Sequence, residues 1–335
     1  MGRKKKLTQE ERIEKLRQGR DEYYHRENIE SPYTNNPVRD ETLDYEEWTK
    51  FISYYRYYID EFAVDILGIK LFPFQRLILR ALARYQNSML IACRGLGKSY
   101  IISVFYICMA ILYPNIKLGI ASGNSQQARN VIIQKIKGEL AKIDGVAREI
   151  NFPIKTGQDD CVVYFKNGSE IRSITLAQDR GGDGARSWRF HIMLCDEARL
   201  VKDDIIEEIL VPMTKTKRQN AIQWGQNEKG KMIYISSAYL KTSGLYRRFK
   251  YHYDKMIAGD KNYMAICFPY QVGVQAGLFE QEDIEKELDK PQMTIDKFKY
   301  ELISSSIYKK LYMQIRQTML MGYLHTFQYC EVLYV

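Results

Sequence analysis

Residues Ser88 to Tyr100, S-M-L-I-A-C-R-G-L-G-K-S-Y, set a short apolar run against a glycine-rich loop ending in Gly97, Lys98 and Ser99. Each residue type there has a use at a phosphate group. Gly95 and Gly97 let backbone N–H groups approach an anion closely. The Lys98 ammonium would neutralise the β- and γ-phosphates of ATP and the Ser99 hydroxyl would hold Mg²⁺. A helix starting on the anion would add its unpaired N–H groups and its dipole. On this reading Ala92, Cys93, Arg94, Gly95, Leu96, Gly97, Lys98 and Ser99 form a Walker A loop, with Ala92 where the usual pattern has glycine. The plain alternative is a glycine turn that holds no ligand.

About a hundred residues on, the chain reads F-H-I-M-L-C-D-E-A from Phe190 to Ala198, an apolar run closing on two acids. In a P-loop ATPase the strand beside the P-loop strand presents an Asp to the Mg²⁺ shell. A following Glu orients and deprotonates the attacking water. Asp196 and Glu197 fit those roles in that order, as a Walker B motif. Two acids favoured by a helix amino terminus are the simpler reading of this segment alone. Its pairing with G-L-G-K-S upstream points instead to ATP hydrolysis.

The elements that must position these residues follow from periodicity. A buried strand over Met89–Ala92 leads into the loop, and the uncharged run Tyr100–Tyr113 predicts a helix buried against a sheet, too short to cross a membrane. Trp48, Phe51, Ile52, Tyr55, Tyr58, Ile59, Phe62 and Ile66 recur at helical spacing, so the tyrosines from 54 to 58 read as a packing stripe before a base-stacking surface. Pro73 suits the first turn of a helix running toward Arg84. Gln75 on that helix is either a surface glutamine or, with its amide donor and acceptor, a partner for an adenine edge.

Further along, Lys117–Ala121 predicts a strand and Ser125–Ile143 an amphipathic helix capped by Ser122, Asn124 or Ser125. Val162–Phe165, the turn Asn167-Gly168 and Ile171–Leu176 predict a hairpin. Residues 181–189 make an arginine-bearing loop. Met232–Ser236 predicts another apolar strand and Thr242–Tyr253 a helix. Alternating strands and helices imply an α/β fold, a mainly parallel doubly wound sheet with its ligand at the carboxyl ends of the strands.

The chain has 335 residues, 8 prolines, 45% hydrophobic residues and a formal net charge of +9. That describes a globular chain with room for one large or two modest domains. Its six cysteines lack metal-ligand spacing, and two lie inside the nucleotide motifs, so a reduced, intracellular protein is expected rather than a disulfide framework. Neither a secretory segment nor a myristoylation site is read at Met1-Gly2-Arg3, and no membrane association is expected. The positive charge favours a polyanionic partner, with nucleic acid the common one for an intracellular ATPase. Much of it lies in residues 1–20, which form either a solvated tail or a DNA-contacting arm.

These residues resemble the large terminase subunit of tailed bacteriophages, the ATPase that drives genome packaging. The resemblance runs over about residues 45–303. G-I-K-L-F-P-F-Q-R is similar to that family's adenine-binding approach, A-C-R-G-L-G-K-S to its deviant P-loop, L-C-D-E-A to its Walker B, and Ser236-Ser237-Ala238 to its coupling motif. The implied fold is a P-loop NTPase of the RecA-like, additional-strand kind. The implied roles are Glu197 as catalytic base, Arg94 as a cis arginine and Arg186 as a trans finger offered to a neighbouring subunit, with Arg180 and Arg189 as rivals. Implied partners are double-stranded DNA, a portal protein, a small terminase subunit and a ring of identical subunits on a procapsid, in the host cell cytoplasm.

The expected organisation is a basic arm and linker over 1–45 and an ATPase domain over 46–270. A helical lead-in to a nuclease domain over 271–304 and an atypical apolar tail over 305–335 follow. Residues 305–335 hold no Asp and only Glu331, too few carboxylates for a two-metal nuclease, so nuclease activity is not expected. Two other readings stay open: a superfamily 2 helicase or translocase, and an inactive remnant that binds nucleotide or DNA without turnover.

Overall fold

The structure, a computed structural model, describes residues 45–158, 160–176, 185–223, 228–237 and 243–288. Its centre is an eight-stranded sheet: β1 Asn87–Ala92, β2 Lys117–Ser122, β3 Ile150–Thr156, β4 Cys161–Phe165, β5 Glu170–Ser173, β6 Ile192–Asp196, β7 Lys231–Ser236 and β8 Tyr263–Phe268. The strand order is β3-β4-β5-β2-β6-β7-β1-β8. β4 pairs antiparallel with β3 and β5, and the remaining pairings are parallel. The sheet is thus mainly parallel, as the alternation of elements predicts.

Strand periodicity explains the layering. Leu90 and Ala92 of β1 face one core with Ile233, Ile235, Ile266 and the helix α3 (Lys98–Leu112). Met89 and Ile91 face the other with Met232, Tyr234, Leu245 and Phe249. Successive side chains alternate sides, and both sides are covered, so the central strands are apolar throughout. α3 has buried residues all round its circumference, which is why Tyr100–Tyr113 can do without charge.

Helices α1 (Tyr45–Tyr57) and α2 (Pro73–Arg84) lie over the first core. Buried Asp60, between them, accepts from Arg76 and Arg80 of α2. Beyond β2, the expected helix 125–143 is split. α4 (Ser125–Asn130) is capped by the Asn124 side chain, which accepts the Gln126 N–H. The chain then widens into a π-helical stretch, Val131–Lys137, where the Gly138 N–H reaches back five residues to Ile133.

The hairpin β4–β5 turns through Asn167-Gly168, with Gly168 at φ 80°. The Asn167 amide also donates to the carbonyls of Ala110 and Ile111, which closes the carboxyl end of α3. The last helices are α5 (Gly244–Ile257), α6 (Tyr270–Gln275) and α7 (Gln281–Leu288). Ser243 caps α5 by accepting the Tyr246 N–H.

Two strands, β3 and β8, go beyond the sequence reading. β3 holds Pro153 yet survives because it is the outer strand of the sheet, where a missing N–H costs no ladder bond. β8 is an uncharged run of six residues, Y-M-A-I-C-F, bounded by Gly259-Asp260-Lys261-Asn262 before it and Pro269 after it. Among the described residues no helix is long and apolar enough to cross a membrane.

Candidate functional site

The loop Cys93–Gly97 leaves β1 at its carboxyl end and enters α3. Gly95 and Gly97 have φ of 84° and 73°, the left-handed region that glycine enters without cost. Gly97 is the residue before the first helical turn, and its carbonyl accepts the Ile101 N–H at 2.9 Å. The loop is thus shaped by the two glycines that the sequence singles out.

Lys98 is folded over the loop. Its ammonium donates to the carbonyls of Ala92 at 2.9 Å and Cys93 at 2.8 Å and lies 3.4 Å from the Ser237 hydroxyl. Burial lowers its pKa, and Arg94 adds to that effect, while Glu197, Cys93 and Asp196 oppose it. Arg94 is exposed on the loop. Ser99 lies in the first turn of α3, where its carbonyl accepts the Ser103 hydroxyl.

Asp196 ends β6 and Ser236 ends β7. The expectation that the acidic strand lies directly beside β1 is not met: β7 stands between β1 and β6. This is the additional-strand order, and it sets Ser236, in register with Ile91, between the loop and the acids. Ser236 and Ser237 are buried. The Ser236 hydroxyl lies 3.5 Å from Glu197 Oε2, so the two serines touch the site from both sides, Ser237 at Lys98 and Ser236 at Glu197.

Asp196 is 9% exposed, and burial followed by the neighbouring Glu197 pushes its pKa up to about 6. The Glu197 N–H donates to its Oδ1 at 3.0 Å. Glu197 itself sits at φ 45°, ψ 51°, a left-handed conformation that costs a non-glycine residue about 1–3 kcal/mol. Arg199 Nε donates to its Oε2 at 3.2 Å. Arg199 is a site residue that the sequence reading passes over; its place two residues beyond the acids was the available signal.

Gln75 is buried in the first turn of α2, and its Oε1 accepts the Phe72 N–H at 3.1 Å. Its Nε2 faces Gly97, 3.5 Å from where a Cβ would stand. Gln75 therefore closes its own helix with the oxygen and offers nitrogen toward the loop. The described contacts of Arg186 lie elsewhere: its guanidinium is 3.9 Å from Glu208, and its carbonyl accepts from Arg189. Both arginines are exposed in the segment entering β6, at the opposite end of that strand from Asp196. Ala238 and Arg180 lie outside the described residues.

Burial pushes the thiols of Cys93 and Cys195 up to about 12, which disfavours the thiolate form at both. Among the described residues no group of three or more His, Cys, Asp or Glu could hold a metal ion. The Asp196 carboxylate and the Ser99 hydroxyl are hard oxygen donors, and burial makes the Asp196 charge costly without a cation. That sparse set fits Mg²⁺, which takes one or two protein oxygens and completes its shell with water and phosphate.

Solved structures share the fold. The HK97 bacteriophage large terminase matches with a TM-score of 0.52 at 14% identity, over 72% of this chain and 54% of that one. A large terminase from a thermophilic bacteriophage, in complex with ADP, matches with a TM-score of 0.51 at 13% identity, over 70% of this chain and 53% of that one. A variant of the Thermus phage P74-26 large terminase ATPase domain matches with a TM-score of 0.50 at 16% identity, over 71% of this chain and 95% of that domain. The match thus spans about half of the two longer proteins and nearly all of the isolated domain. No curated protein matches the chain. The family described as terminase large subunit, T4likevirus-type, N-terminal, matches residues 89–290. That interval is more than half of the sequence and holds the glycine loop, both acids and both serines, and the chain belongs to this family.

Proposed function

We propose that the protein hydrolyses ATP to move double-stranded DNA, as the motor subunit of a phage packaging machine. The observation that carries the reading is the convergence of Lys98, Asp196, Glu197, Ser236 and Ser237 at the carboxyl ends of β1, β6 and β7. Lys98 and the N–H groups of the loop bind the phosphates, and the amino terminus of α3 adds its dipole. Mg²⁺, held by Ser99 and Asp196, supplies charge neutralisation on the β- and γ-phosphates when bound.

Glu197 is the general base. Its left-handed turn lifts the carboxylate off the strand end toward the space where a water would attack. Ser236 and Ser237 couple hydrolysis to movement, since one contacts the base and the other the phosphate-binding lysine. Arg94 stabilises charge developing on the γ-phosphate in cis. Arg186 is exposed in the segment entering β6, which suits a finger offered to the next subunit of a ring. Gln75 contributes to base recognition through Nε2. DNA, a portal protein and a small terminase subunit are the proposed partners, at a procapsid in the host cytoplasm.

The test is ATP turnover by the purified protein with and without duplex DNA. Turnover stimulated by DNA is the expected result. Turnover indifferent to DNA would remove the translocase reading and leave a nucleotide hydrolase. A protein that binds ATP without turning it over, with or without DNA, would be the inactive remnant.

A further inference from the structure

We infer that Phe279 couples the glycine loop to α7, the last helix of the described residues, so that the state of the nucleotide is passed to that helix; this rests on the loop being a nucleotide loop. Phe279 lies far from the loop in sequence, yet its ring fills the space beside Gly95. A Cβ at Gly95 would stand 2.7 Å from Phe279 Cε1 and 2.9 Å from Cζ. The other side of the ring occupies the Cβ space of Gly273 in α6, where Leu96 Cδ2 also comes within 3.0 Å. The ring is thus cradled by two glycines, one in the loop and one in α6.

The backbone explains how the ring arrives there. α6 begins directly after β8, and the carbonyl of Phe268, the last residue of β8, accepts the Cys93 N–H at 3.1 Å. At its other end the chain reverses at Gly277, φ 69°, with the Leu278 N–H bonded to the Gly273 carbonyl at 2.8 Å. That reversal brings Phe279 back onto the helix that precedes it. The end of β8, Phe279 and α6 therefore grip the loop at Cys93, Gly95 and Leu96 respectively. α7 starts two residues later, with the Glu280 carbonyl accepting the N–H groups of Asp283 and Ile284, and Ile284 is buried.

A packed contact of this kind does not deform smoothly. Backbone movement at Gly95 either carries the ring with it or opens a void, and close-packed groups answer such a choice by shifting between discrete arrangements. The loop has glycine at 95 for two reasons at once: the positive φ, and the space that the ring takes. Phe279 acts through the loop and touches no reacting atom, so it is a positioning residue.

Amide hydrogen exchange on the full chain, with and without saturating ADP and Mg²⁺, reads this directly. In the unaltered protein ADP is expected to slow exchange several-fold both in peptides covering 93–99 and in peptides covering 281–288. Phe279→Ala is expected to keep the response at 93–99 and lose that at 281–288. Gly273→Ala, which puts a methyl group where the ring stands and 3.0 Å from Leu96 Cδ2, is expected to lose the response at 281–288 as well. The retained response at 93–99 shows in the same sample that Phe279→Ala is folded and binds ADP. A response at 281–288 that survives in Phe279→Ala overturns the inference, as does a wild-type response confined to 93–99. If ADP alters exchange nowhere, the nucleotide reading falls and the coupling falls with it.

Discussion

At the scale of single residues, the proposed roles separate binding from chemistry. Glu197 touches Arg199 and Ser236, while Lys98 holds the loop. Glu197→Gln keeps the shape and hydrogen-bonding capacity of the side chain but cannot accept a proton. It is expected to lower turnover by about 10²- to 10⁴-fold, the usual contribution of a general base, and to leave ATP affinity nearly unchanged. Steady-state hydrolysis beside equilibrium binding of a fluorescent ATP analogue checks both halves, and normal hydrolysis by that variant would remove the base assignment. Asp196 gives a prediction of opposite sign for stability. Its carboxyl titrates near 6 in the folded chain, against 3.8 for an ordinary Asp, because burial disfavours the charge. Ionising it above that pH therefore opposes folding, by up to about 3 kcal/mol for a shift of this size. Asp196→Asn is expected to melt higher than the parent at pH 7.5 without nucleotide while losing Mg²⁺-dependent hydrolysis. A lower melting temperature would show that the buried charge is already compensated.

At the scale of elements, the helix α2 is fixed to its neighbour by charge as well as by apolar contact. Asp60 is 1% exposed and accepts from Arg76 at 2.8 Å and from Arg80, both on α2, which also carries Gln75. Asp60→Ala leaves a guanidinium in a partly buried place without its carboxylate, an effect of about 3–5 kcal/mol when both groups are buried and less here, since Arg76 is 38% exposed. Urea unfolding is expected to show a loss of about 2–4 kcal/mol, and a loss below 1 kcal/mol would mean that apolar contacts alone seat the helix. This ion pair was not legible in the sequence, because Asp60 precedes α2 and Arg76 lies on it, and only the fold brings them together. The loop, α3, the acidic strand and the hairpin were legible, since each is decided by neighbours in the chain: glycine before lysine, an uncharged run, apolar residues ending in acids, Asn-Gly between alternating segments. The insertion of β7 between β1 and β6 was legible only through family resemblance. Strand order depends on crossovers, and no local pattern encodes which parallel strand lies next to which. Phe279 escaped for the same reason, as its partner Gly95 lies far upstream. Arg199 was in plain view, but an arginine two residues past the acids has no role until Glu197 turns to the left-handed region and meets it.

At the scale of the whole molecule, half-buried His191 and buried His252 make stability depend on pH. His191 sits at the start of β6, and its Nδ1 accepts the Lys117 N–H at 2.8 Å, which ties that end of β6 to β2. His252 of α5 is buried among the rings of Tyr234, Tyr251 and Tyr263. Burial lowers each pKa from 6.5 to about 4, with the nearby Arg218 adding to the effect at His191 and Arg248 at His252. Below about 6.5 the unfolded chain takes up protons that the folded chain refuses, so the stabilisation is complete above 6.5 and is lost as pH falls toward 4. Each shift corresponds to at most about 3 kcal/mol. Asp196 works the other way over nearly the same interval, since its folded form binds the proton first. Glu149, whose carboxyl burial also pushes up, acts in the same sense as Asp196, and the two large histidine shifts outweigh both, leaving a net loss on acidification. Denaturant unfolding is therefore expected to show lower stability at pH 5 than at pH 7, with no metal or nucleotide added. His252→Phe retains an aromatic ring among the tyrosines and removes one of the two proton sites, so the difference between the two pH values should shrink by roughly half of the histidine contribution, at most about 2 kcal/mol. An unchanged difference in that variant would mean that His252 is protonated in the folded chain, and the tyrosine-lined interior beside β7 would then have to hold a charge.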